Sequence, residues 1–305
     1  MTGSKTPRAG TGSVTLLAAC AQVSALALGA GAAAGAAGAA PKTMVVCAPG
    51  YPGTTATAQP TMDAFARDAA AAAGWPPGKL RAVYHETAAG GLRRLVDPDA
   101  VLALVSLPFF LQHETALGLA PRLQVVQAAG SAGTWCLAAR RGRVTSPAAL
   151  DGFEIAGVAG YSPEFVRGPV LSGFGPLPAT ARITFTPNVL SALRRAAAGE
   201  PIAVVVDAAQ AAAMTSLPFG GDLEIVARSP AMPETLLCLV GTRLTTKDAD
   251  DLTRGLLRLH TQSDWIATLA SLRMTRFEPA DAAAIDAARK AFAAARAAGP
   301  GSRRP

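Results

Sequence analysis

From Thr43 onward, short apolar runs alternate with segments of helical spacing, and this alternation stops and starts again once along the chain. The first round reads "KTMVVCAPG", helical "TMDAFARDAAAAAG", "KLRAVYH", helical "AAGGLRRLV", "AVLALVS", helical "FFLQHETAL" and "LQVVQAAG". Pro49 and Gly50 stop the first run, and Gly74 stands where a helix C-terminus favours glycine. The second round reads "FEIAGVA", helical "PEFVRGPVLSGF", "ARITFTP", helical "VLSALRRAAAG", "PIAVVVD", a short helical "AAQAAAM" and "DLEIVAR". Continuously apolar strands spaced by helices predict a sheet buried on both faces, so each round predicts a mostly parallel sheet flanked by helices. Two extended stretches, "TWCLAARRGRV" and "ETLLCLVGTRL", join the rounds, and three helical segments at 247–260, 264–272 and 281–297 finish the chain. The expected fold is α/β and two-lobed, with lobe 1 at 43–139 and 228–305, lobe 2 at 140–227, and the extended crossings as the hinge.

With 305 residues, 50% hydrophobic and 16% charged, the chain is long enough for two lobes and too apolar for disorder. Aromatics are only 5%, so the core is built mainly from Ala, Val and Leu. The net charge of +7 is spread over single arginines and short pairs such as Arg93-Arg94 and Arg194-Arg195, with no aromatic-rich RNA-binding motif, which argues against a nucleic-acid partner. Residues 1–42 stand apart: Lys5 and Arg8 precede an apolar stretch without charge up to Lys42, the pattern of a secretory signal peptide cleaved near Ala40. "LAAC", ending at Cys20, gives a second reading, lipoprotein anchoring at Cys20, and the length of the run gives a third, an uncleaved anchor. The expected location is periplasmic. Export leaves Cys47, Cys136 and Cys238 open to two readings: a Cys136–Cys238 bridge across a sheet with Cys47 free, or three unpaired core thiols. His85, His113 and His260 are isolated and no Cys/His spacing suits zinc, so neither metal nor cofactor is expected.

In open α/β sheets, ligands lie beyond the carboxyl ends of the strands, where helix N-termini converge. Tyr51, Thr54 and Thr55 follow the first strand, His85, Glu86 and Thr87 the second, and Ser106 the third. In the second round the corresponding turns carry Tyr161 and Ser162, then Thr186 and Asn188, then Asp207 and Gln210. Most are hydroxyls set among backbone N–H groups, chemistry suited to a small polar molecule or an oxyanion.

The order, lengths and punctuation of these segments resemble the type 2 periplasmic binding proteins, in particular the phosphate/phosphite/phosphonate class of ABC-transporter solute-binding proteins. The resemblance is carried by "AVLALVSLPFFLQH", "RRGRVTSPAALDGFEIAGVAGYSPEFVRG", "VLSALRRAAAGEPIAVVVDAAQAAAM" and the return through "LEIVARSPAMPETLLCLVGTRL". It implies a monomer that closes two lobes on a small solute without catalysis and delivers it to a membrane ABC permease. Its anion-holding turn matches Gly160-Tyr161-Ser162-Pro163, with one hydroxyl where the family has several, and its carboxylate at the last far-lobe helix matches Asp207. The near-lobe contacts match the turn from Tyr51 to Thr55 and the one at Ser106, where Phe109 adds an apolar wall. The expected ligand contacts are therefore Tyr51, Thr54, Thr55, Ser106, Phe109, Tyr161, Ser162 and Asp207. Rival readings are a sensor module for a membrane receptor and an enzyme on the same scaffold. For the latter, Glu86 beside His85 lacks a third partner.

Overall fold

A computed structural model describes residues 40–50, 53–127 and 133–299. The leader up to residue 39, with Cys20, and Tyr51 lie outside the described residues.

The first sheet has the strand order β11-β4-β10-β3-β1-β2. Its parallel half is β1 (Lys42–Cys47), β2 (Leu80–His85) and β3 (Ala100–Ser106), joined through helices α1 (Thr55–Ala72) and α2 (Ala88–Leu95). Because β1 lies between β2 and β3, the chain leaves β1 toward one side and returns to its other side. This reversal opens a crevice at the carboxyl end of β1. The second half is antiparallel: β4 (Leu119–Gln127), β10 (Thr235–Val240) and β11 (Met274–Pro279). Between β3 and β4 runs α3 (Leu107–Leu117), with Pro108 in its first turn and Gly118 in a left-handed conformation just past its end.

The second sheet repeats the plan in the order β7-β6-β8-β5-β9, with β5 (Cys136–Arg140), β6 (Glu154–Gly157), β7 (Arg182–Phe185), β8 (Ile202–Val206) and β9 (Leu223–Arg228). Strands β7, β6 and β8 are parallel, and β6 sits between the other two, so its carboxyl end is again a reversal point. The parallel expectation holds for these halves. The strands that cross between lobes pair antiparallel: β5 between β8 and β9, and β10 between β3 and β4.

Several expectations are corrected. Residues 136–139 belong to the second sheet, not to lobe 1, because β5 hydrogen-bonds to β8 and β9. Cys136 and Cys238 accordingly lie in different sheets and form no bridge; with Cys47 they are buried free thiols. The stretch after Ser162 is no regular helix: α4 (Pro163–Phe165) widens into a π-turn over Val166–Val170, where Pro169 has no N–H to donate and Leu171 N–H reaches back to Val166 O. Strand β11 stands between the last two helical segments, between α8 (Ser263–Ser271) and α9 (Ala282–Ala298). Helix α9 does not stay with lobe 1. Gly168 of the second lobe lets the backbone at Ala291 approach, while Arg289 pairs with Glu114 of α3 at 2.8 Å, so α9 ties both lobes together.

One core packs α1 and α8 with α7 (Thr246–Leu257) on one face of the first sheet. The other runs from Cys47, Leu107 and Phe110 through Trp135 to Ile155 and Val205, crossing the junction without a break. Gly160 shows how tightly the second reversal point is folded: a Cβ there would stand 2.0 Å from the Thr184 carbonyl oxygen. Backbone cannot swing aside as a side-chain tip can. Gly160→Ala is expected to lower stability by about 1–3 kcal/mol through overpacking, read as a lower midpoint in urea unfolding.

Candidate functional site

The carboxyl ends of β1 and β6 face each other. Gly50, in the turn after β1, adopts φ 84, a left-handed conformation that favours glycine, and a Cβ on it would lie 3.0 Å from the Val158 side chain in the turn after β6. Beside this approach, Ser106 Oγ at the end of β3 and the Tyr161 phenol hydroxyl share a hydrogen bond of 2.8 Å between the lobes. Phe185 supports the phenol ring edge-on, with centroids 6.3 Å apart.

Two cavities flank this bridge. The larger, about 370 Å³, is walled by Val158, Val189, Leu193, Met214 and Leu217, with Asp207 and Arg273 as its charged groups. The smaller, about 220 Å³, lies on the first-lobe side among Tyr84, Ser106, Thr235 and Met274, and Arg273 lines it too. The larger is within the range of ~300–1,000 Å³ usual for small-molecule sites. A third, about 310 Å³, follows the hinge against Gln124, Met232, Glu234 and Arg276.

Of the sequence-predicted residues, Ser106 and Asp207 line these cavities, and Tyr161 is bonded to Ser106. Asp207 also begins α6 (Ala208–Met214): Oδ1 accepts from Gln210 N–H at 2.7 Å and Gln210 Oε1 accepts from Asp207 N–H at 3.1 Å. It is 8% exposed, and burial pushes its carboxyl above the ordinary range. Ser162 is 0% exposed, and its Oγ makes no hydrogen bond among the described residues.

The threonine loop behaves otherwise. Thr54 Oγ1 accepts from Thr57 N–H in the capping box of α1, and the Thr55 hydroxyl donates to Glu86 at 3.0 Å. Both hydroxyls serve the first lobe, and neither residue lines the two cavities: Thr54 supplies an acceptor to the α1 N-terminus, and Thr55 donates from its hydroxyl to Glu86, which also accepts from Thr55 N–H. Phe109 is a correction: it is fully buried, tilted on His113 at 4.6 Å, and forms core rather than a cavity wall. Tyr51 lies outside the described residues.

Sequence reasoning missed Arg273 and Glu234. Arg273 follows α8 with φ 57, and no local pattern marks a left-handed arginine. Glu234, 8% exposed, precedes β10; its backbone carbonyl accepts from Leu107 N–H, while its Oε1 makes no hydrogen bond among the described residues. Burial, and secondarily the negative charge of Asp207, pushes the Glu234 carboxyl up to about 7. Trp135, one step beyond the Cys136–Val206 pair in the ladder, likewise has an unbonded Nε1. The thiol of Cys47 in the smaller cavity is pushed up to about 12 by burial and stays protonated.

No family model matches the chain, and no curated protein does. Solved structures do resemble it. The binding component of an ABC phosphonate transporter from Pseudomonas aeruginosa is 14% identical, with 87% of this chain and 90% of that chain covered at a TM-score of 0.63. A Xanthomonas citri protein solved bound to ATP is 14% identical, with 85% and 98% covered at 0.65. PhnD1 from Prochlorococcus marinus, solved with methylphosphonate, is 13% identical, with 82% and 98% covered at 0.55. At such identities the likeness establishes the two-lobed fold.

Glu234 gives a pH signature. A carboxyl whose folded value exceeds its unfolded one binds more protons when folded, so stability falls as pH rises from the unfolded value of 4.5 to about 7. Glu234→Gln is therefore expected to raise the melting temperature at pH 8, by at most about 3 kcal/mol of stability, and to be near neutral at pH 4. Thermal unfolding across that range measures it.

Proposed function

We propose that this chain, which has the two-lobed fold of the type 2 periplasmic binding proteins, is an extracytoplasmic solute-binding protein of an ABC-type uptake system. It takes a small anion-containing, phosphonate-like solute between its lobes and passes it to a membrane permease, acting as a monomer. The observation that carries this reading is the meeting of the two reversal points. Gly50 and Val158 approach across the junction, Ser106 and Tyr161 bond across it, and cavities of solute size open beside them. A fold that brings two strand-end crevices face to face can wrap a solute and withdraw its hydrogen bonds from water as the lobes close. The neighbour from Pseudomonas aeruginosa belongs to a phosphonate transporter and that from Prochlorococcus marinus was solved with methylphosphonate, which supports the ligand class.

Binding without catalysis is supported by the lining. Neither cavity is lined by a histidine, and the one thiol, Cys47, is held protonated. Nothing there pairs a nucleophile with a base. The apolar, positively headed leader supports export to the periplasm, and among the described residues no helix is long and apolar enough to cross a membrane.

Thermal-shift measurements with phosphate, phosphite, alkylphosphonates, sulfonates and small amines test the reading. At least one is expected to raise the melting temperature by mass action. Asp207→Asn keeps an oxygen for the α6 cap but removes the charge; it is expected to weaken about tenfold a binder that brings an amine to that carboxylate, and to bind a purely anionic solute at least as tightly as wild type. A flat response to the whole panel would overturn the solute-binding reading.

A further inference from the structure

Arg273 is the only non-glycine with positive φ among the described residues, at φ 57. It stands directly after Leu272, the C-cap residue of α8, with its N–H donating to Ala270 O at 2.9 Å, the place where helices commonly take a left-handed glycine or asparagine. A β-carbon in that conformation is strained, and helix termination alone gives no reason to prefer arginine. Its side chain is exposed and makes no hydrogen bond or ion pair among the described residues. It is also the one residue that lines both cavities at the lobe junction.

The surroundings of the guanidinium sort themselves by polarity. On the smaller cavity's side stand the hydroxyls of Thr61, Tyr84, Ser106 and Thr235, with no carboxylate. On the larger cavity's side the walls are chiefly apolar, and Asp207 is attracted to Arg273 without forming an ion pair with it. A bare dianion would exchange a full hydration shell for a few hydroxyls and would leave the apolar wall against water. An anionic head on a carbon body uses both surfaces. A planar, permanently charged fork is the side chain best shaped to hold such a head by paired hydrogen bonds.

We propose that Arg273 holds the negative charge of the solute, and that the solute is an organic oxyanion. A sulfonate, phosphonate or carboxylate head sits against Arg273, and a short apolar body lies along Val158, Val189 and Met214. This deepens the solute-binding reading and rests on it. Arg273 comes from the first lobe and Val158 and Met214 from the second, so such a solute touches both lobes and favours their closure.

The test uses the purified chain with methylphosphonate, ethanesulfonate and butyrate as organic probes, and phosphate and sulfate as inorganic ones. Melting temperatures and calorimetric Kd values are compared for wild type, Arg273→Gly and Arg273→Lys. Glycine suits the left-handed backbone, so Arg273→Gly is expected to melt at or above the wild-type temperature without probe, which separates loss of binding from loss of fold. At least one organic probe is expected to raise the wild-type melting temperature by several degrees, with phosphate and sulfate ineffective at equal concentration. The head group of the responding probe identifies the oxyanion. Arg273→Gly is expected to bind that probe about tenfold more weakly or worse, with Arg273→Lys between the two. Equal affinity in wild type and Arg273→Gly would overturn the role of Arg273 while leaving the solute-binding reading intact. A response to phosphate or sulfate alone would overturn the organic class. No response of wild type to any of these probes would overturn this inference, and the solute-binding reading falls with it only when the wider panel with phosphite and small amines is flat as well.

Discussion

The structure depends on a reversal of strand order made twice. In each sheet the first parallel strand of its round, β1 or β6, has one parallel neighbour on either side, so its carboxyl end opens into a crevice instead of a continuous ladder. The turns after those strands must then carry backbone that no neighbouring strand pairs. Gly50 and Gly160 solve the problem by closeness: one turns left-handed against Val158, the other lies against the Thr184 carbonyl. What is exposed by the sheet order is thus closed at Gly50 by the opposite lobe and at Gly160 by the neighbouring strand of its own lobe. The Ser106–Tyr161 hydrogen bond is the polar part of that closure and the Gly50–Val158 approach its apolar part.

The hinge is built from the same logic. Both strands that cross between lobes, β5 and β10, pair antiparallel in the interior of their sheets. Their buried positions anchor both crossings, while α9 adds a third connection through Arg289, Glu114 and the Gly168–Ala291 approach. Beside these connections Trp135 packs edge-on against Phe165, with ring centroids 5.6 Å apart, in the core that spans the junction.

Much of the fold was legible in the sequence because period and punctuation carry it. The runs "AVLALVS" and "PIAVVVD" have no polar face to spare, and Asn188 and Asp207 stand where their helices need caps. Strand partners were less legible. Whether 136–140 pairs within the first or the second sheet depends on contacts far away in sequence, and "MTRFEP" alternates too weakly to separate a strand from a loop. In the candidate site, the placement of Ser106 and Asp207 on the cavities and of Tyr161 beside Ser106 was readable because a position at a strand end already implies the crevice. Thr54 and Thr55 were over-read, since a hydroxyl at a strand end is equally a hydroxyl at a helix start, and here the α1 N-terminus and Glu86 use both. Arg273 could not be read at all, because its placement comes from a dihedral angle.

The polar atoms that remain unbonded are not scattered. Among the described residues, Trp135 Nε1, Ser162 Oγ and Glu234 Oε1 lie at the hinge and the facing turn, and only Trp75 Nε1 is elsewhere. A buried donor or acceptor without a partner costs about 1–3 kcal/mol, and a carboxylate more, which is why Glu234 is driven toward its neutral form. A core that crosses the junction without a break holds the lobes together, whereas these atoms oppose that contact. Any opening that admits water recovers part of their cost and gives up part of the apolar burial. The two effects have opposite sign, so an added interaction at the junction shifts the balance between open and closed lobes by its own differential affinity for the two. A solute that supplies partners to such atoms acts on the side of closure with more than its own contact area.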